Sequence, residues 1–516
     1  MDTVRVCPME YYTDRAKLKN NIEIAEAILK NRILLWGNVY FEPSAENIFD
    51  TVFETSVTTK RLYLLAMDYL STLLSAYKDT NDLRYLDKFL DIVNQFFNYC
   101  ERNTFSLTPS DDLIACTQSI MFIKSFSIVQ YDETLKKKIV QLLYSHAQYC
   151  YDDRNHWDNH NHGLFTDIGL LHLSVLFGTL PEALLWQEHA IERVKKMFQV
   201  CFYEDGFNNE GSLGYFWHNL RQYQHIIEFC DVYKISGLES IKGKLEYSKR
   251  VVFASFFHSD GSIPMIGDGE EKTFFQIKCN DASALYSDAG ICVAKLGGLY
   301  LTFKCKDTLQ AHTHVDDSSI TARFRTLDLA LDPGHYNYDR YHPIARFLRT
   351  SGGHSGIFPI FADGLSLKEY LKRRSAAGIS KFDFDGTAYY ISGGYELDDG
   401  AIKVQRDIAV KLNRIEVRDS WSCAAPQNMR QRFVLPKELL ERSRFTVSKK
   451  MFETTVGKTT IQYKIMSEKV PIITTMNFGV QAKQEMTYEP TILLDTVAEN
   501  SVEGEITAVI TISEES

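Results

Sequence analysis

The hydrophobic period of this 516-residue chain changes once, near residue 258, and that change limits the fold more than any other feature. Upstream, apolar residues return every three or four positions. Leu86, Phe89, Leu90, Val93, Phe96 and Phe97 form the stripe of an amphipathic helix. Similar runs cover about 12–34, 57–78, 133–151, 164–178, 182–202, 215–236 and 239–257, joined by links as short as Lys78-Asp79-Thr80-Asn81. Thr108-Pro109-Ser110-Asp111 reads as one more helix start, with a hydroxyl cap, a first-turn proline and an acid. Eight or more helices on short links pack as antiparallel hairpins, in a bundle, a solenoid or a closed ring. After the turn cluster His258-Ser259-Asp260-Gly261-Ser262 and the loop Pro264–Gly269, the period shortens to two. Ile408–Leu412 and Arg414–Arg418 alternate around Asn413, and Asp398-Asp399-Gly400 joins the arms of a hairpin. The chain therefore reads as an α+β multidomain protein, helical over 1–260 and an antiparallel β-sandwich over 261–516. No flexible linker separates the halves, so a cleft between them is the expected ligand site.

A formal net charge of −10 argues against a nucleic-acid partner, although a cleft on an acidic protein can be locally basic. Aromatic residues at 13% suit large cores, and also a cleft that stacks on sugar faces. Ten cysteines without a CxxC pair point to reduced, mostly buried thiols rather than a disulfide framework. Met1–Val6 lacks the basic and apolar regions of a signal peptide, and no apolar run approaches the ~20 residues of a membrane span. A cytoplasmic location is expected if the chain is complete, and a periplasmic or secreted one if a leader has been removed. No membrane partner is expected, and oligomeric state is not legible.

Three polar clusters carry the chemistry. Asn159-His160-Asn161-His162-Gly163 precedes an apolar helix, where an amide and an imidazole can hold a carboxylate or simply form a capping loop. Asn209-Glu210-Gly211-Ser212-Leu213-Gly214-Tyr215 leads into an aromatic helix. Tyr215 is either a packing aromatic or a phenolic acid/base, the latter if a neighbour lowers its pKa from about 10. His312-Thr313-His314-Val315-Asp316-Asp317-Ser318 puts two imidazoles on one face if extended. With Asp332 and His354 these histidines offer a zinc-like donor set; Asp332-Pro333-Gly334 reads equally as a strand-ending turn.

Together with Pro264-Met265-Ile266-Gly267-Asp268 and Arg349-Thr350-Ser351-Gly352-Gly353-His354, these pieces resemble the heparinase II/III-type polysaccharide lyases. The resemblance implies an incomplete α/α toroid followed by an antiparallel β-sandwich. It implies β-elimination across a uronic acid of heparan sulfate, chondroitin sulfate or hyaluronan, leaving a 4,5-unsaturated uronate. Alginate or another oligouronide is the alternative substrate, and a non-catalytic carbohydrate-binding protein the alternative role. In the resemblance Asn161, helped by His162, quenches the C6 carboxylate, Tyr215 is the acid/base, and His312 is its partner. His314, Asp332 and His354 match ligands of one divalent metal with a structural rather than catalytic task, zinc or alternatively manganese. His160, Glu210, Arg221 and Arg349 are candidate contacts to an anionic polysaccharide, with Arg323, Arg325 and Arg346 as further candidates. Which of His160, Asn161 and His162 faces the carboxylate stays open, because His160 is an addition to the motif. Ser355-Gly356 stands where an asparagine is more usual in such enzymes. Many relatives are secreted or periplasmic and bacterial.

Overall fold

The structure, a computed structural model, describes residues 7, 9, 21–36, 39–51, 58–103, 106–158, 161–274, 277–306, 312–339, 341–440, 443–446, 450–467, 472–483 and 486–514. The first part is helical: α1 Asn21–Leu29, α2 Thr58–Ala66, α3 Leu70–Thr80, α4 Leu83–Asn103, α5 Asp112–Ser125, α6 Glu133–Tyr151, α7 Asn161–Leu176, α8 Glu182–Cys201, α9 Leu213–Tyr233 and α10 Glu239–Tyr247. Strands follow from Ala284 onward. The predicted order, helices and then antiparallel sheet, is the order found. The chain divides into two compact units, Met1–Cys201 with Arg221–Gly243, and Phe202–Leu220 with Lys244–Ser516.

In the first unit the predicted stripe of α4 is its buried side, with Phe89, Val93, Phe96 and Phe97 inside. Helices α5 and α7 are buried almost all round, and polar residues such as Gln118, Asp167 and His172 are buried with the apolar ones. Three sequence expectations shift. The run over 12–34 yields a helix only at Asn21–Leu29, and Ile33–Trp36 pairs as a strand with Val39–Phe41. A short apolar run such as Ile-Leu-Leu-Trp suits either state. Residues 10–20 lie outside the described residues. The run over 57–78 is two helices, broken where Met67 takes a left-handed φ of 56°. Finally, α5 begins at Asp112 instead of beside Thr108, because the Asp111 carboxylate accepts from the Thr108 amide (2.7 Å) and hydroxyl (2.8 Å) and holds that turn outside the helix.

The second unit contains two antiparallel sheets around one apolar core. A five-stranded meander runs Ala284–Tyr286, Ile291–Leu296, Leu299–Lys304, Ser319–Phe324 and Leu327–Ala330. The larger sheet orders Ser443–Thr446, Met451–Val456, Thr459–Met466, Tyr488–Glu514, Arg414–Pro436, Ile402–Lys411, Ala388–Leu397 and Arg374–Phe384. The hairpin turns fall where predicted, at Asn413 (φ 56°) and at Asp398-Asp399-Gly400 (φ 53°, 54° and 85°). An aromatic cluster of Phe207, Phe216, Trp217, Phe253, Phe256 and Phe274 seats the start of α9 within this unit. All ten cysteines are thiols, six of them buried. Among the described residues no helix is long and apolar enough to cross a membrane.

One buried cation makes stability pH-dependent. Lys306 is 5% exposed, and its Nζ donates to the Tyr203 hydroxyl at 2.6 Å. Burial, reinforced by the charge of Lys304, lowers its pKa to about 7. Unfolded, the same amine stays protonated up to about 10.5. Between those values the unfolded chain holds one more proton, so stability rises with pH over that window. We expect the thermal midpoint of wild type to climb between pH 7 and 9.5 relative to Lys306→Met. Parallel pH profiles of the two proteins would contradict this.

Candidate active site

Three loops of the second unit meet at an aspartate that the sequence reading quoted in a motif without giving it a role. Gly211 (φ 68°) and Gly267 (φ 64°) allow the approach. A Cβ on Gly211 would lie 2.2 Å from the Thr313 side chain, and one on Gly267 would lie 2.6 Å from the His312 carbonyl. The Asp268 amide donates to that same carbonyl at 3.0 Å. The Asp268 carboxylate then joins both histidines of the HxH pair: Oδ2 lies 2.9 Å from His312 Nδ1, and Oδ1 lies 3.0 Å from His314 Nε2. Arg349 reaches Oδ1 through Nε and Nη2, each at 3.4 Å. Burial opposes the charged form of Asp268, but the bonds to His312 and His314 and the charges of His335 and Arg349 outweigh it. The carboxyl is held well below the usual carboxylate range.

On the other edge of the His312 ring, Nε2 lies 3.5 Å from Glu210 Oε2. Glu210 is 2% exposed and also accepts from the Asn219 amide at 3.1 Å, so it braces the ring from within the fold. Tyr215, in the first turn of α9, lies flat on His312 with ring centroids 3.3 Å apart and planes at 12°. The Tyr215 hydroxyl is hydrogen-bonded to the hydroxyl of Tyr338. Tyr338 also packs on His335 (4.3 Å) and has the Arg349 guanidinium 5.7 Å from its ring centre. The sequence reading missed Tyr338 and Asp268. Asp268 stands inside a quoted motif and Tyr338 a few residues beyond another, but only the folded chain shows what each faces.

A second cluster adjoins the first through His314. Ligand atoms of His314, Asp332 and His354 lie within 4.8 Å of one another, and all three residues are buried. His354 Nδ1 is 3.3 Å from Asp332 Oδ2, while His314 Nδ1 and His354 Nε2 are buried without a hydrogen-bond partner among the described residues. Burial lowers the pKa of His314 against the opposing pull of Asp268, which suits the neutral ring that a metal needs. The two aspartates after the HxH pair are anchors. Asp316 pairs with Lys304 at 2.6 Å, and Asp317 with Arg374 at 2.8 Å and the Tyr370 hydroxyl at 3.0 Å.

In the first unit Asn161 opens α7, 5% exposed, and its Oδ1 has no hydrogen-bond partner among the described residues. His162 beside it donates from Nδ1 to Asp112 Oδ2 at 2.9 Å. The preceding turn is pinned by His156, whose ring nitrogens lie 3.2 Å from Asp158 and 3.2 Å from Asp167; Asp167 in turn pairs with Arg193 at 2.8 Å. His160 lies outside the described residues. Arg221 is half-buried on α9, in the first unit. Of the other arginines, Arg323 is engaged by Asp260 and His258, Arg325 by Glu514, and Arg346 donates to the Gly364 carbonyl. The structure thus gathers Tyr215, His312, Glu210, Arg349, His314, Asp332 and His354 in one unit, and Asn161 with His162 in the other.

The chain matches two models of one family. The model described as Heparinase II/III N-terminus matches residues 54–290, and that described as Heparinase II/III-like, C-terminal, matches 280–497. Among solved structures, a heparinase III is similar over 100% of this chain and 88% of its own, with TM-score 0.81 at 13% identity. The heparan sulfate lyase HepC of Pedobacter heparinus is similar over 99% and 85%, with TM-score 0.66 at 14% identity. A chondroitin AC lyase of Streptomyces coelicolor A3 is similar over 96% and 79%, with TM-score 0.58 at 9% identity. No curated protein sequence gives a match.

Proposed function

Because the chain belongs to the heparinase II/III family, we propose that it is a polysaccharide lyase cleaving uronic-acid-containing glycosaminoglycans by β-elimination. The observation that carries this reading is the flat stack of Tyr215 on His312, an imidazole braced on both nitrogens by Asp268 and Glu210. A phenol held against a fixed imidazole is equipped for proton transfer, and its neighbours Tyr338 and Arg349 supply polar contacts for an anionic sugar. In the reaction Tyr215 takes the C5 proton, the electrons of that bond form the C4=C5 double bond, and the C4–O4 bond breaks. Tyr215, entering the step as its phenolate, passes that same proton on to the departing O4, and no water is consumed. Removing a C5 proton requires that charge building on the C6 carboxylate be stabilised. The Asn161 amide, through the NH₂ it can donate, takes that role together with His162.

The donor set of two imidazole nitrogens and one carboxylate suits zinc, with manganese the alternative. His314, Asp332 and His354 would hold the ion, and a ligated His314 would in turn keep Asp268 and His312 in one orientation. We expect a chelator to lower the thermal midpoint of wild type, and the added metal to restore it. His354→Ala should start at the lower midpoint and no longer respond to either. A wild-type midpoint insensitive to chelation would remove the metal from this account.

The test is the growth of unsaturated-uronate absorbance on heparan sulfate, chondroitin sulfate, hyaluronan and alginate. Growth on one of the first three supports the reading and names the polymer. Growth on alginate alone moves the substrate to oligouronides. A flat trace on all four, with a bound polymer in a binding assay, turns the protein into a carbohydrate-binding one.

A further inference from the structure

We propose that Asp112 is a positioning residue for His162, fixing the ring's tautomer so that Nε2 always meets the substrate. The proposal rests on the elimination reading above. Asp112 is the first residue of α5, a place where an acid normally stays at the surface and serves its own helix end. Its neighbour Asp111 does local work of that kind, bonding back to Thr108. Asp112 is instead 0% exposed, and the partner of its Oδ2 is His162, fifty positions along the chain. Its Oδ1 is buried with no hydrogen-bond partner among the described residues.

A carboxylate buried with half its acceptor capacity unused is costly, and replacement by a neutral side chain of the same shape would relieve that cost. The packing therefore does not explain it. The group it faces does. His162 keeps 36% of its side chain exposed, with Trp157 (6.0 Å) and Phe165 (5.7 Å) beside the ring. One edge of the imidazole points inward at a carboxylate, and the ring is held at an angle set by two aromatic neighbours. An acceptor-only carboxylate at Nδ1 demands a hydrogen there in both protonation states. Nε2 then offers an N–H to the C6 carboxylate when the ring is charged and a lone pair when it is neutral. Without Asp112 the tautomers become free to exchange, and the wrong nitrogen carries the hydrogen for part of the time.

Two measurements on the full chain test this. In ¹⁵N-histidine NMR, with the His162 signals assigned by their loss in His162→Gln, wild type should show hydrogen on Nδ1, and Asp112→Asn should show a gain of the Nε2–H form. An Nε2–H tautomer in wild type, or a tautomer unmoved by Asp112→Asn, overturns the proposal, whatever the protein's activity. In kinetics, Asp112→Asn should lose about tenfold or more in kcat, with a smaller change in KM. The loss should disappear in a His162→Ala background, since a residue acting through His162 has nothing left to position. Losses that add in the double variant would show that Asp112 acts elsewhere. If wild type eliminates on no uronate polymer, the functional reading fails, and the NMR result still decides whether Asp112 sets the tautomer.

Discussion

Replacing Tyr215 by phenylalanine is expected to lower kcat by roughly a thousandfold while leaving KM and the thermal midpoint near wild type. The size follows from asking one phenol to accept the C5 proton and also to deliver a proton to O4. The selectivity follows from the geometry. Phenylalanine keeps the ring that lies 3.3 Å from His312, so packing survives and only the hydroxyl bonded to Tyr338 is lost. Tyr215 is also held by α9, whose first turn sits on the aromatic cluster around Phe216 and Phe253, so the mutation has no route to the core. The check is kcat and KM from the unsaturated-uronate absorbance, with polymer binding measured separately. A variant within about tenfold of wild type would transfer the proton-handling role to another group, and Tyr338 stands in contact to take it.

The second large effect is on stability. Arg406 and Asp419 are both completely buried in the second unit, joined by Nε to Oδ1 at 2.6 Å and Nη2 to Oδ2 at 2.7 Å. Asp419 also accepts from Gln431 at 2.7 Å. The remaining nitrogen of Arg406 donates to the carbonyls of Ser318 (2.7 Å) and Ser355 (2.9 Å). Those two residues end the segments that begin at His312 and Gly352, so one guanidinium ties both histidine-bearing loops to the sheet. Arg406→Met would leave Asp419 charged, buried and short of its main partner, at a cost of about 3–5 kcal/mol. Denaturant unfolding should report that loss, and activity should fall further than the unfolded fraction explains, because the loops lose their tether. Paired replacement of Arg406 and Asp419 by apolar residues should recover most of the stability but not the activity. Recovery of both would make the pair a packing device with no bearing on the site.

Much of the fold was legible because periodicity is a local property. The stripe of α4 and the alternation around Asn413 each require only that one face be buried, and any such stretch declares its own period. Misreadings came where the local signal was double-valued. Ile33–Trp36 is apolar throughout, and Met67 breaks a continuous stripe by adopting a left-handed φ. The onset of α5 was decided by a side chain reaching backward, Asp111 to Thr108, which a forward-reading cap rule does not anticipate.

The site divides along the same line. By itself the sequence determined which residue types were available: the HxH pair, the tyrosine at a helix start, the Asn-His turn, and distant Asp332 and His354. That both histidines face one way was readable from their spacing, and both do reach the same carboxylate. That the carboxylate is Asp268, that Tyr338 meets Tyr215 across 123 positions, and that Asp112 stands behind His162 were decided by tertiary structure alone. Chemistry is carried by side chains, which a sequence names. Function also depends on which side chains are buried against each other. That depends on how the whole chain minimises exposed apolar surface and unpaired charge at once, and no short stretch encodes it.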